Sequence, residues 1–287
     1  VVGSGAIGSE FASFYNDLGC KVTIIEAQNK ILPNEDHEIS EFVLKSFKNR
    51  GIDIHINCEL LSVDNKVSSV ECEIKDGDKK IKLNADKLLL SVGIKPNVDD
   101  LGLEELNLEM EKGFIKTNEL MKTSENGLYA IGDVTDGPWL AHKASHEGIL
   151  CIDAIKGLKT HKIKKENIPG CTYSRPQIAS IGLTEKKALE LNHEIKVGRF
   201  PFVGNGKAIA LGESEGFIKT IFDKNTGEFL GAHLVGPEVT ELIQGFAIAK
   251  KLETTEEDLM ETIFPHPTLS EAMHESVLDA YDRVIHF

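Results

Sequence analysis

The sequence lacks paired cysteines and long apolar runs. Its five cysteines stand far apart, so that no CxxC or CxxxxC pair occurs; they are Cys20, Cys58, Cys72, Cys151 and Cys171. Isolated cysteines in a chain without a recognisable export signal are typical of reduced cytosolic proteins, so we expect a cytoplasmic location. No run approaches the roughly 20 apolar residues of a membrane-spanning helix, so we expect no membrane partner.

Basic residues are also scarce. The 287 residues include 32 Lys and Arg against 46 Asp and Glu, which gives a formal net charge of -14 and a pI of about 5.2. Nucleic acids and anionic membranes are usually bound by basic patches, so we expect neither as a partner. The length and the hydrophobic content of 41% allow two or three domains with sizeable cores.

The first 93 residues have the pattern of an α/β domain. Val1 and Val2 predict the stub of a strand, a glycine-rich turn follows, and apolar residues then recur at helical spacing as far as Leu18. The further elements predicted in this part are strand 21–26, helix 36–49, strand 52–56, an antiparallel insertion over 60–85 and a buried strand over 86–93.

Two further regions follow, and their patterns differ. Residues 94–165 are less regular, although they include a predicted helix at 140–155. Strands with segregated helices then predict an α+β domain over residues 166–287. We therefore expect a Rossmann-like α/β domain at 1–93, a second segment at 94–165 and the α+β domain. The elements predicted in the last region are strands 177–182, 194–202, 217–222 and 229–235, and helices 184–191, 239–252 and 270–281.

The glycine-rich turn carries the first functional signal. Gly3, Gly5 and Gly8 form a GxGxxG pattern between a strand and a helix, which is the context that dinucleotide binding requires. The first glycine permits the tight turn, the second lets the backbone approach a pyrophosphate, and the third allows close helix–strand packing. Glu26 ends the next strand, where a carboxylate can accept hydrogen bonds from a ribose diol and would repel a 2′-phosphate. The pattern therefore predicts NAD rather than NADP.

Four separated segments resemble the pyridine nucleotide–disulfide oxidoreductases, in that family's order and across nearly the whole chain. They are residues 3–26, 129–133 (Tyr-Ala-Ile-Gly-Asp), 137–144 (Gly-Pro-Trp-Leu-Ala-His-Lys-Ala) and 266–271 (His-Pro-Thr-Leu-Ser-Glu). Within the family, residues 139–144 with Glu147 and Gly148, together with residues 268–272, most resemble the branch that oxidises dihydrolipoamide on the lipoyl domains of 2-oxo acid dehydrogenase complexes. The resemblance implies a symmetric homodimer, with residues 168–287 as the dimerisation domain.

The resemblance also implies two cofactor sites, one for NAD and one for FAD. Residues 94–165 would be the second segment of the FAD-binding domain, with Asp133 hydrogen-bonded to the ribityl–pyrophosphate region. The residues that would line the NAD site are Gly3, Gly5, Ala6, Ile7, Gly8, Glu10, Glu26, Leu60 and Gly93, and those that would line the flavin are Trp139, Leu140, Ala141 and His142.

His266 and Glu271 resemble the family's base and its orienting carboxylate. A dithiol attacks a disulfide as a thiolate, so a base must take its proton. Imidazole titrates near neutral pH, and a neighbouring carboxylate fixes its tautomer and stabilises its charged form. The resemblance further implies a cis His266–Pro267 bond, and that His266 reaches across the two-fold interface to the partner's redox disulfide.

The sequence departs from the family in what it does not contain. Neither the family's first GxGxxG, for FAD, nor its CxxxxC redox pair is among these residues, and the chain starts at Val1 without Met. We therefore expect the C-terminal part of a longer enzyme, which binds NAD and dimerises but does not catalyse the full reaction. We also expect residues 94–165 to be the least ordered.

Other interpretations stay open at this point. A glutathione-reductase-like enzyme would favour NADPH and a basic residue just after Glu26, where residues 27–29 are Ala, Gln and Asn. A mercuric-reductase-like enzyme would end in paired cysteines, whereas these residues end in His-Phe. A non-catalytic module for NAD binding and dimerisation is the third alternative. His142 and His146 do not form the His-Glu-x-x-His pattern of zinc enzymes, so we expect no metal.

Overall fold

The computed structural model describes all residues from Val1 to Phe287. Contacts within the chain divide it into two compact units: residues 1–93 together with 169–287, and residues 94–168. The mixed α/β fold class is as predicted. The three-domain division stays a prediction, because the contacts separate only residues 94–168 from the rest.

Residues 1–93 begin with a small parallel arrangement. Its elements are α1 (Ala6–Asp17), β1 (Thr23–Ile25), α2 (His37–Asn49) and β2 (Asp53–His55). β1 and β2 pair in parallel, and Val2 forms parallel bridges to Ile25 on one side and to Leu90 on the other. The predicted strand stub at Val2 therefore lies in the middle of the arrangement, where it places the glycine-rich turn.

The helix α2 forms where the sequence predicts it. Asp36 caps its first turn by accepting the N–H of Glu38. Ile39, Val43 and Phe47, spaced four residues apart, are fully buried on one face. They belong to one core cluster that also includes residues from beyond position 169, Ile178 and Val235.

The predicted antiparallel insertion is present as a separate three-stranded sheet. It consists of β3 (Cys58–Asn65), β4 (Val70–Asp76) and β5 (Lys79–Ala85), in that order. Cys58 and Ile74 on its inner face are buried against Val2 and Ile25. The sheet therefore packs beside the end of β1.

The prediction of a buried strand over residues 86–93 is wrong. The segment contributes a single bridge, in which the N–H of Val2 binds the carbonyl oxygen of Leu89 and the N–H of Ser91 binds that of Val2. Leu90 and Val92 are 61% and 71% exposed. Only one edge of the segment is paired, and none of its leucine or valine side chains is buried, although Leu88 packs half-buried against the neighbouring cluster.

Residues 94–168 contain little regular structure. The elements are β6 (Met110–Glu111), β7 (Phe114–Ile115) and α3 (Ala141–Ile155), with single 3₁₀ turns at 103–105, 132–134 and 165–167. The helix matches the prediction at 140–155. None of the clusters of buried hydrophobic side chains includes a residue of this region.

Residues 169–287 form a five-stranded antiparallel sheet with helices. The strands are β8 (Gly170–Thr172), β9 (Gln177–Gly182), β10 (Ile195–Pro201), β11 (Phe217–Asp223) and β12 (Phe229–Gly236), and the helices are α4 (Glu185–Glu190), α5 (Gly206–Leu211), α6 (Val239–Lys251), α7 (Glu256–Glu261) and α8 (Glu271–Asp279). The order across the sheet is β10-β11-β12-β9-β8. The predicted strands and helices are present, whereas β8, α5 and α7 are additional elements that the sequence analysis did not predict.

The large core of this region lies between the sheet and the helices α6 and α8. Phe222 on β11, Phe229 on β12 and Phe246 on α6 are at most 1% exposed. The rings of Phe229 and Phe246 stack with their centroids 5.3 Å apart. The same core includes Ala272 and Val277 of α8, the helix that carries Glu271.

A buried ionic cluster joins residues 1–93 to residues 169–287. The Lys219 ammonium lies 2.9 Å from Asp36, 2.6 Å from Glu38 and 2.7 Å from Glu185, and the lysine is 1% exposed. Arg199 makes two further hydrogen bonds to Glu38, at 2.7 and 2.8 Å. Burial lowers the pKa of Lys219, but hydrogen bonds to the three carboxylates raise it above its usual value.

Candidate functional sites

The glycine-rich turn is tight where the pattern requires it. A Cβ atom at Gly3, whose φ is +90°, would collide with the carbonyl group of Ser91, and one at Gly8 would collide with the carbonyl oxygen of Gly3. By contrast, no atom lies within 4 Å of the Cβ position of Gly5. The turn therefore packs closely at its first and third glycines and leaves open space at its second.

The start of α1 faces that space without a side-chain cap. Gly5 is the N-cap residue and makes no side-chain hydrogen bond, and no acidic residue occupies the first turn. The N–H groups of a helix N-terminus carry partial positive charge and bind anions. The turn and the helix start therefore have the form of a pyrophosphate cradle, with Ala6 and Ile7 at its exposed edge.

The carboxylate of Glu26 is fixed against the same turn. One of its oxygens accepts the N–H of Ser4 at 2.8 Å and the hydroxyl of Ser4 at 2.6 Å, and the other accepts the N–H of Gln28 at 2.8 Å. Glu26 is 6% exposed. A carboxylate has about four acceptor positions, so these three bonds leave room for one from a ribose hydroxyl.

Three other residues of the predicted NAD site have identifiable environments. The Glu10 carboxylate accepts the N–H of Tyr173 at 2.8 Å. Leu60 on β3 packs against the small cluster around Ile25. Gly93 is exposed and has a φ of +126°, two residues beyond the Ser91 carbonyl that faces Gly3. These residues thus lie along the segments that surround the turn.

The predicted flavin residues lie in the other unit. Asp133 is exposed in the 3₁₀ turn at 132–134, and Ala141 and His142 are exposed at the start of α3. The Trp139 ring lies 5.6 Å from that of Phe114, centroid to centroid. Its Nε1 atom is buried and has no hydrogen-bond partner. Leu140, half-buried, is the N-cap residue of α3.

A buried ion pair that the sequence analysis missed holds this turn in place. Lys143 and Glu147, four residues apart on α3, are 3% and 5% exposed and lie 3.2 Å apart. Glu147 accepts the N–H of Gly132 at 2.7 Å, and Lys143 donates to the Gly132 carbonyl oxygen and to the Thr135 hydroxyl. The signal available in the sequence was the i, i+4 spacing of opposite charges, of which the first, Lys143, lies within the family motif 137–144.

His266 and Glu271 meet as the sequence analysis predicts. The ring Nδ1 of His266 lies 2.9 Å from one carboxylate oxygen of Glu271, and the N–H of Thr268 donates to the other at 2.8 Å. The His266 side chain is 80% exposed, and the His266–Pro267 peptide bond is cis. The Thr268 and Ser270 hydroxyls bind each other rather than capping the helix with a side chain.

The electrostatics of this pair favour a charged carboxylate. Burial raises the pKa of Glu271, but the Thr268 N–H and the His266 ring together lower it by more, so that the pKa lies below its ordinary value. A charged Glu271 orients the proton of His266 on Nδ1 and leaves Nε2 as the exposed proton acceptor. No group of three or more His, Cys, Asp or Glu side chains is placed to hold a metal ion.

The comparison with family models decides the family. The model described as pyridine nucleotide-disulphide oxidoreductase matches residues 1–148, and the model of that family's dimerisation domain matches residues 168–277. The chain belongs to the pyridine nucleotide-disulphide oxidoreductases. The predicted family is therefore confirmed.

Curated relatives in this family are similar over the whole chain. A dihydrolipoyl dehydrogenase of Rhizobium etli is 52% identical over 287 residues, which are 99% of this chain and 60% of the relative. A protein of the same name from Bacillus subtilis is 43% identical over 100% of this chain and 61% of the relative's length. The chain thus spans about 60% of the length of the curated relatives it matches.

Two solved structures have the same fold. LpdA from Mycobacterium tuberculosis superposes with a TM-score of 0.89 at 27% identity, over 96% of this chain and 60% of that one. The HOCl-induced flavoprotein disulfide reductase RclA from Escherichia coli has a TM-score of 0.88 at 26% identity, over 96% of this chain and 63% of that one. None of the helices of the present chain has the length and apolarity needed to cross a membrane.

Proposed function

We propose that this chain is the NAD-binding and dimerisation portion of a dihydrolipoamide (dihydrolipoyl) dehydrogenase. The whole enzyme would oxidise protein-bound dihydrolipoamide to lipoamide and reduce NAD. The dithiol then loses two electrons and two protons, NAD takes up a hydride, and one proton is released. The observation that carries the proposal is the His266–Glu271 pair in a chain that is 52% identical to a protein named dihydrolipoyl dehydrogenase.

The choice of NAD over NADP rests on Glu26. Its carboxylate is held by Ser4 and Gln28, with acceptor capacity left for a ribose hydroxyl. A 2′-phosphate would meet this negative charge in a place where residues 27–29 offer no cation. The open space at Gly5 fits a pyrophosphate that approaches the backbone.

FAD would contact residues of the second unit. Asp133, exposed in its turn, is available to a ribityl hydroxyl, and the unpartnered Nε1 of Trp139 fits a residue that lines a further group. Bound FAD would supply the two-electron relay between a disulfide and the nicotinamide. The buried pair Lys143–Glu147 would keep the turn of Asp133 in position.

His266 would act as the base of the dithiol reaction. With its Nδ1 proton held by Glu271, its Nε2 would accept a proton from a thiol and so generate the attacking thiolate. The five cysteines of the chain are all unpaired and have no CxxxxC spacing, so we expect no turnover by these residues alone.

The assembly and the partners follow from the same assignment. The match of residues 168–277 to a dimerisation domain supports a homodimer. Lipoyl domains of 2-oxo acid dehydrogenase complexes would deliver the dithiol. Five unpaired cysteines are consistent with a reducing compartment, and we place the protein in the cytoplasm.

Calorimetric titration with NADH and NADPH tests the NAD site. We expect NADH to bind more tightly than NADPH. Glu26→Gln should weaken NADH binding roughly tenfold, because the charge-assisted hydrogen bond to the ribose is lost. Glu41→Gln, an exposed change on α2, is the matched control and should leave both affinities unchanged. Tighter binding of NADPH by the unchanged chain would overturn the NAD assignment.

The visible absorption spectrum of the purified chain tests whether these residues hold FAD by themselves. We expect a colourless protein that binds NADH and sediments as a dimer. A flavin band would show that these residues hold FAD by themselves, and the expectation of an inactive portion would then be wrong.

A further inference from the structure

The imidazole of His55 is flanked by two carboxylates from two different strands. Its Nδ1 lies 3.1 Å from Asp76 at the end of β4, and its Nε2 lies 3.3 Å from Asp53 on its own strand, β2. The ring is 19% exposed, less than either carboxylate. A neutral imidazole carries a proton on only one nitrogen, so only the doubly protonated ring presents a proton to both carboxylates. The arrangement therefore favours the charged ring.

The other strands around the His55 ring place three further groups near it. Cys58 begins β3 and lies opposite Asp76 in the strand register. Burial and the Asp76 carboxylate both raise the pKa of the Cys58 thiol, so that it stays uncharged at neutral pH. Lys79 on β5, opposite Asp76 on the other side of β4, is exposed, and the register partner on β1 is the uncharged Ile25. The two aspartates are therefore the charges in direct contact with the imidazole.

The main chain of His55 is bound directly to the segment that carries Glu26. The carbonyl oxygen of His55 accepts the N–H of Glu26 at 2.8 Å, and the N–H of Cys58 donates to the Glu26 carbonyl oxygen at 2.9 Å. Next to these bonds, the N–H of Asn57 donates to the carbonyl oxygen of Gln28 at 2.8 Å. The turn between β2 and β3 therefore fixes the backbone on both sides of the carboxylate that we propose to bind the ribose.

A cavity of about 430 Å³ opens beside this segment. Its lining comes from the end of β1, from the turn between β2 and β3, and from the hairpin of β4 and β5; the residues are Ala27, Asn57, Cys58, Glu59, Lys75 and Gly77. Asp76, which the His55 ring contacts, stands between the two hairpin residues of this lining. A cavity of this size beside a ribose-binding carboxylate suits the remainder of a nucleotide. The contact between His55 and Asp76 thus ties down the hairpin that forms one wall of the cavity.

We propose that His55 is a positioning residue of the NAD site, and that its charged ring, by binding Asp76, holds the hairpin of β4 and β5 against the nucleotide cavity. The proposal rests on the NAD binding assigned above to the glycine-rich turn and Glu26. When the ring loses a proton, one of its nitrogens turns a lone pair towards a carboxylate, and that contact becomes repulsive. The contact is therefore complete at lower pH and is lost as the pH rises. Imidazole titrates near neutral pH, so the affinity for NADH falls as the pH rises through that range.

Calorimetric titration with NADH from about pH 6 to about pH 8.5, the range over which imidazole loses its proton, tests the proposal. We expect binding by the unchanged chain to weaken about threefold to fivefold across this range, since a partly exposed ion pair contributes modestly. His55→Gln, which cannot take up a charge, should bind NADH at the lower pH as weakly as the unchanged chain does at the higher pH. Its affinity should not depend on pH. A purely structural role of the side chain would instead weaken binding equally at every pH and leave the pH dependence in place.

His37→Gln is the matched control. The His37 imidazole is exposed on α2, pairs with Glu41 one helical turn further on, and is not part of the cavity lining. We expect this variant to keep the pH dependence of the unchanged chain. A constant affinity of the unchanged chain, or a pH dependence that persists in His55→Gln or disappears in His37→Gln, would overturn the proposal. If the unchanged chain binds no NADH at any pH, the proposed function itself fails, which is a different result.

A measurement without any substitution covers the case in which His55→Gln does not fold. In the unchanged chain at the lower pH, both ring nitrogens of His55 should show the ¹⁵N chemical shifts of N–H groups. The ring should then lose one proton over the range in which NADH binding weakens. A nitrogen without a proton at the lower pH, or a titration outside that range, would contradict the proposal. The ring signals are recorded without nucleotide, so they report on the contact with Asp76 independently of the NAD site.

Discussion

Residues 94–168 and residues 169–287 are stabilised in different ways. The second region contains a core in which sheet and helices cover one another, with Phe222, Phe229 and Phe246 almost fully buried. In residues 94–168, by contrast, only a few apolar side chains are buried, and none belongs to a buried cluster. They are Ile115, Ala130, Leu150 and Cys151. Polar contacts, above all Lys143–Glu147, hold its central turn instead.

The difference shows that a recognisable motif does not require a core of its own. Residues 129–133 and 137–144 resemble the family closely, although the region around them buries little apolar surface. Burial of apolar area is the dominant favourable contribution to folding, so the region with less of it should be the more easily unfolded. Five predictions follow from this comparison.

The largest expected effect is that of removing a core ring. Phe246→Ala should lower the free energy of unfolding by about 3–5 kcal/mol, because it leaves a cavity in the large core. Urea unfolding followed by far-UV circular dichroism measures it. Ile248→Ala, at a position 53% exposed on the same helix, is the control and should have little effect. If Leu150→Ala in the other unit lowers the same transition equally, the comparison fails.

The next largest effect is expected for the buried lysine of the ionic cluster, Lys219. Lys219→Met should cost about 3 kcal/mol or more, because it leaves Asp36, Glu38 and Glu185 close together without their buried cation and with only the more exposed Arg199 beside Glu38 and Glu185. The same unfolding experiment measures the loss. Lys224→Met removes an exposed pair with Glu194 and should cost much less. If Lys219→Met lowers the free energy of unfolding no more than the control does, the cluster does not stabilise the contact between residues 1–93 and 169–287.

The single tryptophan allows the two units to be observed separately. Trp139 lies in residues 94–168, whereas seven of the eight helices lie in the other unit. We expect Trp139 fluorescence to change at a lower urea concentration than far-UV circular dichroism. Coincident transitions would indicate one cooperative unit and would contradict the difference drawn above.

Hydrogen exchange locates the same difference along the chain. Amides of residues 94–165 should exchange faster than those of β11 and β12. Equal protection in the two regions would overturn the prediction that residues 94–165 are the least ordered.

The smallest expected effect concerns the acid stability of the larger unit. The hydrogen bond from His193 outweighs burial and, with the N–H groups of Thr226 and Asn225, lowers the pKa of Asp223 to about 2. The folded-state pKa is below the ordinary value of 3.8, so the stabilisation is fully present above pH 4 and is lost as the pH falls towards 2.

Asp223→Asn should therefore destabilise the chain near neutral pH by an amount that shrinks below pH 4. Urea unfolding at pH 7, 4 and 2.5 measures the difference from the unchanged chain. Glu213→Gln, an exposed change in the same unit, should show no such trend. A difference that stays constant down to pH 2.5 would mean that the carboxylate charge is not the cause.

Local patterns could be predicted because they depend on neighbours in the chain. The helical spacing of Ile39, Val43 and Phe47 predicts a helix over 36–49, and α2 buries all three residues and is capped by Asp36. The His266–Glu271 contact also spans only five residues, so family resemblance and spacing were sufficient. The segment at 86–93 could not be interpreted correctly, because its apolar composition does not show that only one of its edges is paired.

The sequence by itself determined the glycine-rich turn, the position of Glu26 after β1, the longer helices and strands, and the histidine before Pro267, since each is encoded by residues close together in the chain. Only the tertiary structure decided which distant side chains form ion pairs and hydrogen bonds with one another. Lys219 meets Asp36 across 183 positions, and Ser4 meets Glu26 across 22. Such contacts depend on how elements pack, and burial then makes them strong, because a charge removed from water must be matched by partners that the fold brings to it.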